Sequence, residues 1–82
     1  MSQIEKLLQK FDHSPQNVRY ADIEKILIYV GFEKIYAKGS HVKWKHSQLQ
    51  HDIIVPVHNN ECKNFYKQQI RTQIQVFIKR NI

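Results

Sequence analysis

The chain has 82 residues, and its 13 lysines and arginines exceed its 7 aspartates and glutamates, which gives a net charge of +6 with neutral histidines. A chain of this length builds one small core and no deep substrate cavity, so we expect any chemistry on a surface or in a shallow groove. The positive charge favours a polyanionic partner: nucleic acid, an anionic membrane surface or an acidic protein. We interpret residues 1–82 as one domain, with a core over 18–82 and an added helix and linker over 1–17.

Cys62 is the only cysteine, so this chain offers no intrachain disulfide and no cysteine-based metal site. We expect Cys62 to be buried or inert. The first residues mix charges with apolar side chains and lack the continuous apolar segment of a secretory signal. No stretch approaches the roughly 18 apolar residues of a membrane span. These features predict a cytoplasmic protein without membrane contact.

Two groups of apolar residues at helical spacing predict two helices in the first third of the chain. The first group consists of Ile4, Leu7, Leu8 and Phe11, and the second of Ile23, Ile26, Leu27 and Val30. We predict helices over residues 3–12 and 20–30. Ser2 and Glu5 stand at capping-box spacing before the first helix, and Gly31 follows the second as a C-terminal stop.

After Gly31 the apolar period shortens to about 2, which is typical of β-strands. We predict strands over residues 32–38, 41–46 and 51–57, with a tight turn at Gly39 and Ser40. Because Pro56 has no N–H to donate, the third strand should end there or lie at an edge. The short loops imply an antiparallel meander.

The last segment has a helical pattern that begins between residues 61 and 66, and Lys79 and Arg80 occupy its final turn. The predicted order is therefore helix, helix, three strands, helix. This order predicts an α+β fold in which the helices cover one face of a three-stranded antiparallel sheet. The other face would be basic and open to solvent.

The second strand and the turn before it carry the residues with the strongest chemical interest. Alternation turns Val42 and Trp44 toward the helices and places a row of basic side chains on the open face, about 7 Å apart. The row consists of His41, Lys43 and Lys45, and Lys38 before the turn extends it. Successive phosphates of a nucleic-acid strand recur at a comparable distance, so the row can follow a backbone.

His41 lies where this row meets the turn, beside Gly39 and Ser40. An imidazole transfers protons near neutral pH, because its reference pKa is about 6.5. Glycine lets a ligand's backbone approach closely, and the serine hydroxyl can donate to a phosphate oxygen. A base that removes the RNA 2′-hydroxyl proton, with cations around the phosphate, suffices for cleavage without a metal. The plainer interpretation is a solvated histidine on a soluble face.

The other histidines are weaker candidates. His46 and His51 bracket the loop between the second and third strands, but two ligands without a third make a poor metal site, so we predict no metal. His58 follows the third strand and is open to three interpretations: a second proton-transfer group, a phosphate contact or a loop histidine.

Three segments together resemble a known family: ILIYVGF at 26–32, KGSHVKW at 38–44 and IIVPVH at 53–58. In this order and spacing the chain resembles the HicA-type toxins, the small mRNA interferases of HicA–HicB toxin–antitoxin pairs. The resemblance covers roughly residues 18–80 and leaves the N-terminal helix outside the family's minimal pattern.

The resemblance implies a fold like that of a double-stranded-RNA-binding domain, and an endoribonuclease that cleaves mRNA without a metal or other cofactor. It also implies a HicB-type antitoxin that silences the enzyme by covering its site. The family's essential histidine, in a Gly-Ser-His turn, falls on His41, which would be the general base. The RNA-binding residues that we expect are Lys38, Gly39, Ser40, Lys43 and Lys45, with His58 as an accessory candidate.

Two alternatives stand beside this interpretation. The same fold and charge can hold RNA by shape and phosphate contacts without cutting it. The basic face can also meet only an acidic protein, in which case the chain would show no RNA affinity at low salt.

Overall fold

Three helices and three strands make up the computed structural model, which describes residues 2–36 and 38–80. The elements are α1 (Gln3–His13), α2 (Tyr20–Tyr29), β1 (Glu33–Tyr36), β2 (His41–Lys45), β3 (Ile53–Pro56) and α3 (Asn64–Arg80), with a short 3₁₀ turn at Pro15–Asn17. The strands form one sheet in the order β1-β2-β3, and both pairs are antiparallel. The predicted α+β class with its antiparallel meander is confirmed, and it is consistent with a double-stranded-RNA-binding-domain-like fold.

The strands are shorter than their patterns predicted. β1 does not extend to Lys38, which lies in the turn, and the predicted strand residue Ala37 lies outside the described residues. β2 stops at Lys45, whose partner Glu33 is the first residue of β1, and the His46 side chain places Nε2 3.1 Å from the Val30 carbonyl oxygen. β3 covers Ile53–Pro56, so Pro56 both ends the strand and lies at the sheet edge, as its missing N–H requires.

The helix ends follow the predicted capping chemistry. Ser2 Oγ accepts from the Glu5 backbone N–H at 3.2 Å, and the Glu5 carboxylate accepts from the Ser2 backbone N–H at 3.3 Å, which completes the capping box. α2 ends one residue before the prediction, with Val30 as its C-cap. Gly31 follows at a φ of 102°, a left-handed conformation that favours glycine.

The N-terminal helix α1 packs on the rest of the fold. Its apolar face buries Leu8 and Phe11 completely, and the helix contacts both α2 and α3. Arg71 of α3 donates from Nε to the Asp12 carbonyl oxygen at 2.9 Å, so a hydrogen bond joins the two helices near the end of α1. An isolated helix of this length is marginal in water, and this packing stabilises it.

The core lies between the sheet and the helices. Val42 and Trp44 of β2 pair with Val55 and Ile53 of β3, and all four side chains are buried because paired residues share one face of the sheet. The Trp44 indole Nε1 donates to the Tyr20 hydroxyl oxygen at 3.1 Å. Burial raises the pKa of the Tyr20 phenol, which keeps it neutral as the acceptor for this hydrogen bond.

The opposite face of the sheet is open and carries the predicted basic row. His41 and Lys45 are exposed and Lys43 is half-buried. Lys43 stands between its cross-strand partners Ile35 and Ile54, whereas Lys45 faces Glu33 of β1 and His41 faces Pro56 of β3. Within residues 2–36 and 38–80, no helix combines the length and apolar character that a bilayer crossing demands.

Candidate functional site

A groove opens beside the turn between β1 and β2, and it has a volume of about 410 Å³. One wall carries Gly39, Ser40 and His41, and the facing walls carry Glu24 of α2 and Lys34 of β1. We refer to it as the His41 groove. Three residues predicted from the sequence therefore meet in one shallow concavity, as expected for a chain too small for a deep cavity.

The turn between β1 and β2 has a backbone conformation that favours glycine at position 39. Gly39 has a φ of 71°, a left-handed conformation that other residues adopt at a cost of about 1–2 kcal/mol. A Cβ atom built at this position would meet no described protein atom within 4 Å, so the space above the turn is open to a ligand. The Ser40 carbonyl oxygen accepts from the Val57 N–H at 2.9 Å, which fixes the turn against the end of β3.

His41 is accessible from two sides. It is the first residue of β2, it is exposed, and it lines the groove while also beginning the basic row on the open face. Its cross-strand partner is Pro56, so the end of β3 lies directly beside it. An exposed imidazole at the junction of a groove and a cationic row can meet a substrate that runs along the sheet.

Lys34 lines the groove and lies on the helix-covered face of the sheet, and the sequence analysis did not predict it as a site residue. Lys34 Nζ lies 2.9 Å from Glu24 Oε2 and 4.8 Å from the centroid of the Tyr36 ring. The hydrogen bond to Glu24 raises the pKa of Lys34, so its ammonium stays charged. Lys34 pairs with Trp44 and so belongs to the helix-covered face. A lysine on the covered face needs an acidic partner there, so a lysine at an inward-facing strand position was the sequence signal for an ion pair.

A tight turn over residues 58–61 forms a further wall of the groove. His58 and Glu61 exchange backbone hydrogen bonds of 2.9 and 3.0 Å, and Asn59 and Asn60 both have positive φ, at 53° and 62°. This is the pattern of a two-residue hairpin turn of type I′, in which asparagine is well tolerated. Asn60 lines the His41 groove, whereas His58 lines a separate groove on the other side of the turn.

One comparison with known proteins gives a match. A family model described as the HicA toxin of bacterial toxin–antitoxin systems matches residues 20–76, which is more than half of the chain. This chain belongs to the HicA toxin family. No curated protein and no solved structure matches it. HicA family toxins are ribonucleases, and membership in a toxin–antitoxin family implies an antitoxin partner.

The HicA match runs from the start of α2 to near the end of α3 and leaves α1 outside. It includes every residue of the predicted site, from Lys38 to His58. The resemblance expected from the three sequence segments is therefore confirmed at the level of the family.

An ion pair between a buried lysine, Lys67, and a partly exposed glutamate, Glu61, connects the elements beside the His41 groove. Glu61 Oε1 accepts from the Tyr20 N–H at 3.1 Å, from the Cys62 N–H at 3.0 Å and from Lys67 Nζ at 3.1 Å. Lys67 is only 5 % exposed. Burial acts to raise the pKa of the Glu61 carboxyl, but the Cys62 hydrogen bond and the Lys67 ammonium outweigh it, so the pKa is lowered. The carboxylate thereby joins α2, the 58–61 turn and α3.

The lysines of this HicA-family chain that are predicted to bind RNA lie in different places from the groove lysine. Lys43 and Lys45 lie on the open face and Lys38 is exposed in the turn, whereas Lys34 lines the groove. Cys62 is buried, as predicted, and burial raises the pKa of its thiol to about 11, which keeps the thiol protonated.

His46 has a structural role. Its ring packs against Phe32 and Phe77 with centroid separations of 4.8 and 4.4 Å, and Nε2 lies against the Val30 carbonyl oxygen. His51 is exposed in the loop. Among the residues that the structure describes, no group of three or more histidine, cysteine or acidic side chains is placed to hold a metal.

Proposed function

We propose that this HicA-family toxin is a metal-independent endoribonuclease that cleaves mRNA with His41 as its general base. The observation that carries the proposal is the position of His41, exposed in a groove beside a left-handed glycine, with the Lys34 ammonium on a facing wall. This is the arrangement that phosphodiester cleavage by an internal nucleophile requires: a base, a cation and room for the phosphate.

In the proposed reaction, His41 removes the proton of a ribose 2′-hydroxyl, and the 2′-oxygen attacks the neighbouring phosphorus. The bond from phosphorus to the 5′-oxygen breaks, which leaves a 2′,3′-cyclic phosphate on one fragment. The protonated imidazole, or water, returns a proton to the departing 5′-oxygen. Lys34 and the Ser40 hydroxyl stabilise the negative charge that builds on the phosphate oxygens.

The basic residues outside the groove would hold the RNA strand. Lys43 and Lys45 continue the line of His41 at strand spacing of about 7 Å, and Lys38 lies on the other side of the turn. Such contacts release counterions, so RNA affinity should fall steeply as salt rises. A HicB-type antitoxin with an acidic surface would complement the +6 charge and cover His41 together with this row.

The proposal predicts cleavage of mRNA by the purified chain in excess EDTA. The fragments should carry 2′,3′-cyclic phosphate ends, which chemical mapping of the termini detects. A matched oligonucleotide with a 2′-deoxyribose at the cleaved position should bind but remain intact, because it lacks the nucleophile. RNA that binds tightly and is never cut would contradict the proposal and favour a binding module without catalysis.

A second prediction concerns Lys34. Lys34→Met should lower the single-turnover cleavage rate about tenfold or more, because one charge that stabilises the transition state is lost. Lys25→Met is the matched control, since Lys25 also forms an ion pair on α2, with Asp22 at 3.5 Å, and lies away from the groove. Equal rates for the two variants would exclude a specific role of Lys34.

A further inference from the structure

A second groove lies on the other side of the 58–61 turn, and it is larger and more apolar than the His41 groove. It has a volume of about 640 Å³. Its residues include Pro56 at the end of β3, His58 in the 58–61 turn, Lys63 before α3, and Phe65 and Tyr66 in the first turn of α3. We refer to it as the aromatic groove.

Phe65 is the unusual residue in this groove. It is 68 % exposed, although water contact is unfavourable for a side chain of this size. Its ring meets the Tyr66 ring edge to face, with centroids 5.2 Å apart and planes at 86°. This aromatic pair orients the Phe65 ring and leaves it accessible for a flat ligand to stack on.

The aromatic groove lies next to the site of the proposed reaction, across one segment of the chain. The 57–61 segment separates the two grooves: Val57 and Asn60 line the His41 groove, whereas His58 and Glu61 line the aromatic groove. Pro56 lines the aromatic groove and is also the cross-strand partner of His41. Paired residues have Cα atoms about 5 Å apart, so one lining residue of the aromatic groove is an immediate neighbour of His41.

We propose that the aromatic groove binds one nucleobase of the RNA, next to the phosphate at His41 and stacked on Phe65. The inference rests on the proposed nuclease function. It adds that one base of the RNA substrate is recognised by stacking on the Phe65 ring. Lys63 supplies positive charge at the groove for the polyanion, and His58 offers ring nitrogens to the base edge. The acidic residue in the groove, Glu61, is paired with Lys67.

This assignment also gives His58 a function. His58 lies with the base, on the far side of the turn from His41, so it would contact the substrate without removing the 2′-proton. An aromatic platform accepts every base, because each base has a π-face, and a histidine contact then adds a modest preference.

The test is binding by the His41→Ala chain, which holds RNA without consuming it. We would measure Kd for a short single-stranded RNA and for a series of the same RNA in which each member lacks one base. Phe65→Ala in this background should weaken binding of the intact RNA about tenfold. For the one member that lacks the stacked base, Phe65→Ala should change nothing. Phe65→Trp should retain the affinity.

Val76→Ala is the matched control, since Val76 is also an exposed apolar residue of α3 and lies about three turns further along the helix. It should bind every RNA as the parent does. Thermal melting verifies that each variant is folded.

Two results would overturn the inference: unchanged RNA binding by Phe65→Ala, or an equal loss for every member of the abasic series. Loss of antitoxin affinity alone would assign the aromatic groove to protein and so also overturn it. The nuclease proposal fails separately, by an absence of cleavage in EDTA while base-dependent binding persists.

Discussion

His41→Ala is expected to lower the rate of RNA cleavage by at least about a hundredfold, because removal of a general base typically costs a factor of 10² to 10⁴. The Kd for RNA should change little, since Lys38, Lys43 and Lys45 remain to hold the backbone. Single-turnover cleavage in EDTA gives the rate, and filter binding of an RNA that carries a 2′-deoxyribose gives the affinity.

The histidine controls make this experiment specific. His51→Ala removes an exposed loop histidine and should leave both measurements unchanged. His58→Ala removes the histidine on the other side of the 58–61 turn and should affect binding more than rate. Full cleavage by His41→Ala would move the base elsewhere, with His58 as the next candidate. In cells, His41→Ala should also abolish growth inhibition.

Glu61→Ala is expected to destabilise the fold by about 2–3 kcal/mol. The substitution leaves the Lys67 ammonium buried without its carboxylate, and removal of one partner of a buried pair is strongly unfavourable. This value lies below the roughly 3–5 kcal/mol that is typical of fully buried pairs, because Glu61 itself is partly exposed and water can enter. The Tyr20 and Cys62 N–H groups also lose their acceptor. Urea unfolding measures the change.

The double variant Glu61→Ala/Lys67→Met separates the energy of the Glu61–Lys67 ion pair from the other effects of each substitution on stability. Lys67→Met removes the buried ammonium, so Glu61→Ala should cost less in that background than in the wild type, and the difference is the coupling of the pair. Additive effects of the two substitutions would show that the ion pair contributes nothing to stability.

The same carboxyl predicts a pH dependence. Its pKa in the folded chain lies below its value in the unfolded chain, so its contribution is fully present above the unfolded value of about 4.3 and is lost as the pH falls through the folded pKa. Glu61→Gln should flatten this acid loss of stability. Identical acid profiles for the wild type and Glu61→Gln would contradict the assignment.

Local patterns in the sequence were sufficient for the elements of the fold. Apolar spacing identifies α1 and α2 because one helical face must be buried, and the shift to alternation identifies β2, where Val42 and Trp44 enter the core. The same alternation places His41, Lys43 and Lys45 together on the open face. Three short segments were sufficient for the family, since they lie within the matched residues 20–76.

The site was only partly predictable, because two of its components depend on contacts between distant residues. Glu24 and Lys34 are ten residues apart and meet only when β1 packs beside α2. Lys34 belongs to the covered face because of the strand register, which pairs it with Trp44. A sequence pattern gives the alternation of a strand but does not name the partner that a charged residue finds across the fold.

The sequence by itself determined the order of the elements, the basic row and the Gly-Ser-His turn, because each depends on neighbours within a few residues along the chain. The tertiary structure alone decided that His41 and Lys34 share a groove while His58 lies in another. It also decided that Glu61 joins α2 to α3 through Lys67. These contacts span the 58–61 turn and the packed helices, and a buried charge finds its partner only when those elements come together.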